Sequence, residues 1–106
     1  RINMKIKLNI DNKEKIFYLK KVKGSLYRRF LEIQQILIDS ENSEKGYGLE
    51  HFDMMVTFIC QAFNNQFTEN ELLDDIGADE IALKFYEIAK FVSDKTAEGM
   101  KRISKN

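Results

Sequence analysis

Residues 49–67, with the sequence LEHFDMMVTFICQAFNNQF, constrain the fold more than any other part of the chain because they are its most apolar segment. Two apolar stripes recur there at helical spacing. The first consists of Leu49, Phe52, Val56, Ile59 and Phe63, and the second of His51, Met55, Phe58 and Ala62. A helix that is apolar on most sides must be covered either by its own domain or by its domain on one stripe and a partner on the other.

The N-terminal residues predict a β-hairpin. Lys5–Ile10 alternates apolar and polar side chains, and Lys15–Leu19 is rich in aromatic and β-branched residues. Both patterns are typical of strands. The polar residues between them include Asp and Asn, which tolerate tight turns. A lone hairpin is marginal in water, so it must pack on the rest of the chain.

The remainder predicts about four helices. Residues 26–38 form an amphipathic helix, which Ser25 is expected to cap. A polar loop at 39–48 precedes the two-stripe helix. A capping box begins at Thr68 and opens a short helix that ends near Ile76, with Gly77 expected in the left-handed conformation. Residues 78–103 form the last helix, whose apolar pattern thins after Val92.

These elements predict an α+β, mostly helical fold, with an N-terminal β-hairpin packed on a bundle of about four helices. At 106 residues the chain is expected to be one domain over residues 4–103, with the hairpin at 4–19 and the helical part at 26–103. Residues 1–3 are typical of a cloning remnant before Met4, and residues 104–106 are expected to fray.

Charge is balanced overall and segregated along the chain. Residues 1–37 carry a net charge of +7, residues 38–80 of −10, and residues 81–106 of +3. The pattern fits a fold whose opposite charges face each other or face water. It also allows neighbouring copies to associate through oppositely charged faces, so a homo-oligomer is a second expectation. The near-neutral pI argues against a nucleic-acid partner.

Chemical motifs are few. The single His51 and the single Cys60 are out of phase on one helix, so they cannot form a nucleophile pair there. No metal site, cofactor site or phosphate-binding loop is predicted, and an enzyme is the least favoured class. Cys60 is expected to be a buried, inert thiol of a cytosolic protein. No run approaches the length of a membrane span, and no signal peptide is apparent.

Two segments carry a resemblance to a known family. The opening Met4-Lys-Ile-Lys-Leu-Asn-Ile-Asp-Asn-Lys-Glu-Lys-Ile-Phe-Tyr resembles the N-terminal hairpin of tail assembly chaperones from long-tailed, siphovirus-type phages or prophages of Gram-positive bacteria. The stretch Phe63-Asn-Asn-Gln-Phe-Thr-Glu-Asn-Glu-Leu-Leu-Asp-Asp-Ile is similar to a segment that members place before a short acidic helix. The resemblance covers residues 4–92.

The resemblance implies a non-catalytic function. Such chaperones bind the tape measure protein in the cytoplasm of the bacterial host, keep its apolar helices soluble, assist the tail tube subunits, including the major tail protein, and are not expected in the mature virion. A client of this kind requires an adaptable apolar surface. We hypothesise that Met55, Phe58, Ala62 and Phe67 help to form it.

Two other functions are compatible with the same composition. One is a small phage or prophage regulatory or inhibitory protein-interaction domain. The other is a nucleic-acid accessory protein that uses the basic hairpin.

Overall fold

The chain folds into a two-stranded hairpin followed by four helices in a computed structural model, which describes residues 4–104 except for the side chain of Ser104. The elements are β1 (Met4–Ile10), β2 (Lys13–Leu19), α1 (Gly24–Glu41), α2 (Leu49–Ala62), α3 (Glu69–Asp75) and α4 (Ala78–Ser104). The predicted α+β fold class is confirmed. The predicted cloning remnant at 1–3 and residues 105–106 of the predicted frayed tail lie outside the described residues.

A two-residue turn sets the register of the hairpin. Asp11 and Asn12 both adopt left-handed conformations, with φ of 54° and 64°, which short hairpin turns require. The strands are antiparallel, with Met4 opposite Leu19. Because these two residues alone turn the chain, β2 begins two residues before the predicted strand. The outer edge of β1 is held by the Asn9 amide, which donates to Asp75 of α3 (3.0 Å).

Helix α2 lies in the centre of the core. Phe58 is fully buried, and its ring centroid lies 5.3 Å from that of Phe85 on α4 and 6.4 Å from that of Phe30 on α1. The inward side of β1, with Ile6 and Leu8, closes the same core. Both stripes of α2 are therefore covered by this domain from Val56 onward. Leu49, at the open first turn, is 76% exposed.

Two asparagines and a capping box lead the chain from α2 into α3. Asn64 and Asn65 end the helix in left-handed conformations, with φ of 58° and 56°. The capping box follows: the Glu71 amide donates to Thr68 Oγ1 (3.1 Å), and Glu71 Oε1 accepts from the Thr68 amide (2.8 Å). Both bonds satisfy backbone donors that the start of α3 would otherwise leave unpaired.

Two local predictions are wrong. Ser25 does not cap α1, because the helix begins at Gly24, two residues before the predicted start, and Lys23 stands at the cap position without a side-chain hydrogen bond. Gly77 does not adopt the left-handed conformation, because α3 ends on Ile76 in an extended conformation. The chain then enters α4 directly, with the Gly77 amide donating to Glu80 Oε1 (3.2 Å).

Candidate functional site

Three of the four side chains proposed to bind a partner are buried in the core. Phe58, Ala62 and Phe67 are at most 4% exposed, and Met55 is half-buried. The Phe67 ring packs at 5.0 Å from that of Phe17 and 5.7 Å from that of Phe63. A partner can reach these side chains only if the surrounding elements separate. Partner binding by the second stripe of α2 therefore stays a prediction.

An apolar groove lies between α1 and α4. We call it the α1–α4 groove, and its volume is about 350 Å³. Its floor is formed by the buried side chains of Phe30, Phe85 and Ala89. Its walls include Ile38 and Tyr86, which are 45% and 62% exposed. Apolar side chains thus line a concave surface that is open to a partner, the usual form of a recognition groove.

Helical spacing places these side chains in the groove. Phe30 and Ile38 lie two turns apart on α1, and Phe85 and Ala89 lie one turn apart on α4. The small side chain of Ala89 leaves depth between the larger residues on either side. The stripe of α1 and the stripe of α4 were both visible in the sequence, but the sequence did not indicate that a gap would remain between them.

Tyr47 and Glu41 form one end of the groove. Tyr47 Oη donates to Glu41 Oε1 at 2.7 Å. This hydrogen bond favours the neutral phenol beside a carboxylate and raises the pKa of Tyr47 to about 12. Glu41 is the last residue of α1, whose final turn contains no basic side chain. The negative end of the helix dipole therefore adds to the carboxylate, and this end of the groove is acidic.

A buried histidine joins α1 to α2 beneath that end. His51 Nδ1 lies 2.7 Å from the Gly48 amide and accepts its hydrogen. The ring proton of neutral His51 is therefore on Nε2, which donates to Ser40 Oγ at 2.6 Å. Ser40 Oγ in turn donates to the Ile36 carbonyl (2.9 Å). This role of His51 was not predicted from the sequence, although a side chain that can accept hydrogen bonds at the third position of a helix indicates it.

The Ser40–His51 pair is not arranged as a nucleophile and its base. A catalytic base must present an unprotonated nitrogen to the hydroxyl. Here the unprotonated Nδ1 faces the Gly48 amide, and the serine proton is committed to a carbonyl. The pair is therefore a structural junction between two helices.

The other groups that could carry chemistry in the described residues are the Cys60 thiol and the metal-binding side chains. Cys60 is a buried free thiol, as predicted, and burial raises its pKa to about 11. Within residues 4–104, no three His, Cys, Asp or Glu side chains lie close enough together to hold a metal ion. None of the helices in that range is long and apolar enough to cross a membrane.

Comparison with known families identifies the class of protein. The model of a family described as phage tail chaperone protein matches residues 2–106. The chain belongs to this family. The match confirms that the resemblance seen in the hairpin and in residues 63–76 is to tail chaperones, and it extends the resemblance through α4. No curated protein and no solved structure matches the chain.

Because the chain belongs to the tail chaperone family, its functional site is expected to be a binding surface and not a reactive group. A chaperone is a non-catalytic class of protein that works by covering surfaces of its client. The α1–α4 groove has the form that such work requires, because it exposes apolar side chains on a folded and covered core. We therefore take this groove as the candidate functional site.

Proposed function

We propose that this tail chaperone binds the tape measure protein, keeps its apolar helical length soluble and assists assembly of the tail tube around it. The major tail protein is the second partner. The chaperone acts in the cytoplasm of a Gram-positive host during assembly of a long-tailed phage or prophage particle, and it is absent from the finished virion. The observation that supports this proposal most strongly is the family match over residues 2–106.

The α1–α4 groove supplies the binding surface in this proposal. An amphipathic helix can place its apolar stripe in a groove of this shape and leave its polar side in water. At about 350 Å³ the groove is near the lower end of ligand-binding cavities, so it accepts a few side chains rather than a whole helix. Each contact is then weak. A long client with repeated apolar positions would bind several copies of the chaperone and gain affinity from their number.

The predicted stripe of α2 is a second possible surface. Phe58 would contact the client only after α2 separates from α1 and α4, because it lies between those two helices. Phe67 would also require β2 to move, because its ring packs on Phe17. Ala62 is buried and Met55 is half-buried. Separation would expose the core and would make the thiol of Cys60 accessible. The two surfaces therefore predict different behaviour of Cys60 on client binding.

Co-expression with the tape measure protein of the same phage tests the proposal. The expected result is that the chaperone raises the soluble fraction of the tape measure protein and co-purifies with it. Ile38→Asp combined with Tyr86→Asp should reduce co-purification at least tenfold. Leu83→Asp is the matched control, because Leu83 lies on the same helix, is 59% exposed and faces the hairpin side instead of the groove.

The control experiments separate binding from folding. All three substituted side chains are more than 40% exposed, so circular dichroism should show native helix content and an unchanged unfolding midpoint within a few degrees. If the yield of soluble tape measure protein is the same with and without the chaperone, the proposed function is contradicted. Full co-purification of the groove variant would place the binding surface elsewhere.

A further inference from the structure

The last turns of α4 carry apolar side chains that no other element covers. Val92 is the last fully buried residue of the helix. Beyond it, Met100 is 62% exposed and Ile103 is 69% exposed. Ile103 continues the buried stripe, and Met100 lies three residues before it on the adjoining face of the helix. We call residues 96–103 the α4 tail. At 1.5 Å per residue it extends about 12 Å.

The α4 tail lies at the opposite end of the α1–α4 pair from the acidic end of the groove. Val22, just before α1, lines the same small cavity as Phe91 and Lys95 of α4. Glu41, at the end of α1, lines the groove together with Tyr86. The two helices therefore run in roughly opposite directions, and the tail follows the part of α4 that lies beside the start of α1.

Charge separates along the same direction. The groove end carries an excess of acidic side chains on the end of α1, the following loop and the start of α2: Asp39, Glu41, Glu44 and Glu50 against Lys45. Of these, Glu41 lines the groove itself, whose lining also contains Lys90 farther along α4. The tail end carries an excess of basic side chains: Lys20, Lys21, Lys23, Lys95, Lys101 and Arg102 against Asp94 and Glu98. One molecule thus has an apolar groove with an acidic end and, at its other end, an apolar helix tail with a basic surround.

We propose that the α4 tail of one copy inserts Met100 and Ile103 into the α1–α4 groove of a second copy. The basic surround of the tail then faces the acidic end of the groove, which fixes the direction of docking. The occupant follows from charge complementarity between two surfaces of this chain. Because the two surfaces differ, the contact is head-to-tail and leaves one groove and one tail free, so it propagates into rows or closes into a ring.

The contact is expected to be weak and reversible. A groove of about 350 Å³ and a tail of about two turns belong to the small class of interfaces, which are typical of transient association. Opposite charges contribute to its direction, so salt weakens it. If the groove also binds the client, as in the proposed function on which this step rests, the client displaces the tail of the neighbouring copy.

Sedimentation of the purified chain alone tests the inference. The weight-average mass should at least double between low micromolar and millimolar concentration at low salt, and should fall back toward the monomer as salt is raised. A tail variant, Met100→Glu with Ile103→Glu, and a groove variant, Ile38→Glu with Tyr86→Glu, should each remain monomeric. All four side chains are exposed, so both variants should fold.

Mixing the two variants gives the decisive result. The groove variant keeps an intact tail and the tail variant keeps an intact groove, so together they should form a 1:1 heterodimer that grows no further. Leu83→Glu, on the hairpin side of α4, should associate like the unmodified chain.

Three results would overturn the inference. The unmodified chain could stay monomeric at millimolar concentration, the groove variant could still dimerise through its tail, or the mixed variants could fail to associate. None of these measurements includes the tape measure protein. Their failure would therefore leave the co-expression test of the proposed function untouched, and a failed co-expression test would leave them untouched in turn.

Discussion

Replacing Phe58 by alanine decides whether the second stripe of α2 is core or contact surface. Phe58 is 0% exposed and touches rings on both α1 and α4. Truncation of a buried phenylalanine costs about 3–5 kcal/mol, through lost burial and the cavity that remains. A domain of this size is stable by about 5–15 kcal/mol, so Phe58→Ala should remove about a fifth or more of the free energy of unfolding.

Urea unfolding followed by circular dichroism measures this loss. The midpoint should fall while the slope stays the same, because the surface exposed on unfolding is unchanged. In a thermal scan the loss corresponds to a fall in Tm of about 15–30 °C. Met55→Ala is the matched control on the same stripe: the side chain is only half-buried, so its truncation should cost about 1–2 kcal/mol.

A small loss in the free energy of unfolding would show that Phe58 is not part of the closed core. If Phe58→Ala unfolds within about 1 kcal/mol of the unmodified chain, Phe58 is not enclosed by α1 and α4, and its predicted contact with a partner becomes the better interpretation. If it loses stability as expected and the remaining folded protein still binds the tape measure protein, the stripe serves the core alone.

Three further predictions concern the ends of the helices. Tyr47 should ionise near pH 12 in an ultraviolet titration, and Glu41→Gln should return its pKa toward 10. The stability that this raised pKa contributes is complete below pH 10, where Tyr47 of the unfolded chain begins to ionise, and is lost as the pH rises toward 12. His51→Ala should cost about 1–3 kcal/mol in urea unfolding, and a double-mutant cycle with Ser40→Ala should show coupling between the two side chains; strictly additive losses would contradict it. Thr68→Ala removes an N-cap acceptor and should cost about 1 kcal/mol, whereas Thr68→Ser should cost much less.

Much of the fold could be predicted because local physics decides it. The left-handed Asn64 and Asn65 and the reciprocal bonds of Thr68 and Glu71 depend only on neighbours in sequence. The buried face of β1 follows from strict alternation of side chains. Ser25 and Gly77 were exceptions, since the residues at which helices begin and end depend on where the adjoining chain is held, which periodicity does not specify.

The candidate site could not be predicted in the same way. Helical periodicity shows which residues share a face, but it does not show which faces of separate helices meet. The second stripe of α2 looked free because its cover, Phe30 and Phe85, comes from distant parts of the chain. The groove wall formed by Ile38 and Tyr86 was hidden for the same reason. His51 looked isolated in sequence, although Gly48, three residues before it, bonds one ring nitrogen and the fold brings Ser40 to the other.

The reaction of Cys60 with a thiol reagent, with and without the tape measure protein, distinguishes client binding in the α1–α4 groove from client binding to an uncovered α2. Cys60 is the only cysteine, is buried on α2, and has a pKa raised to about 11, so the free chaperone should react slowly at pH 8. If the client binds in the α1–α4 groove, the core stays closed and the rate should remain the same or fall. An increase of tenfold or more on client binding would show that α2 is uncovered and would contradict the groove as the binding surface.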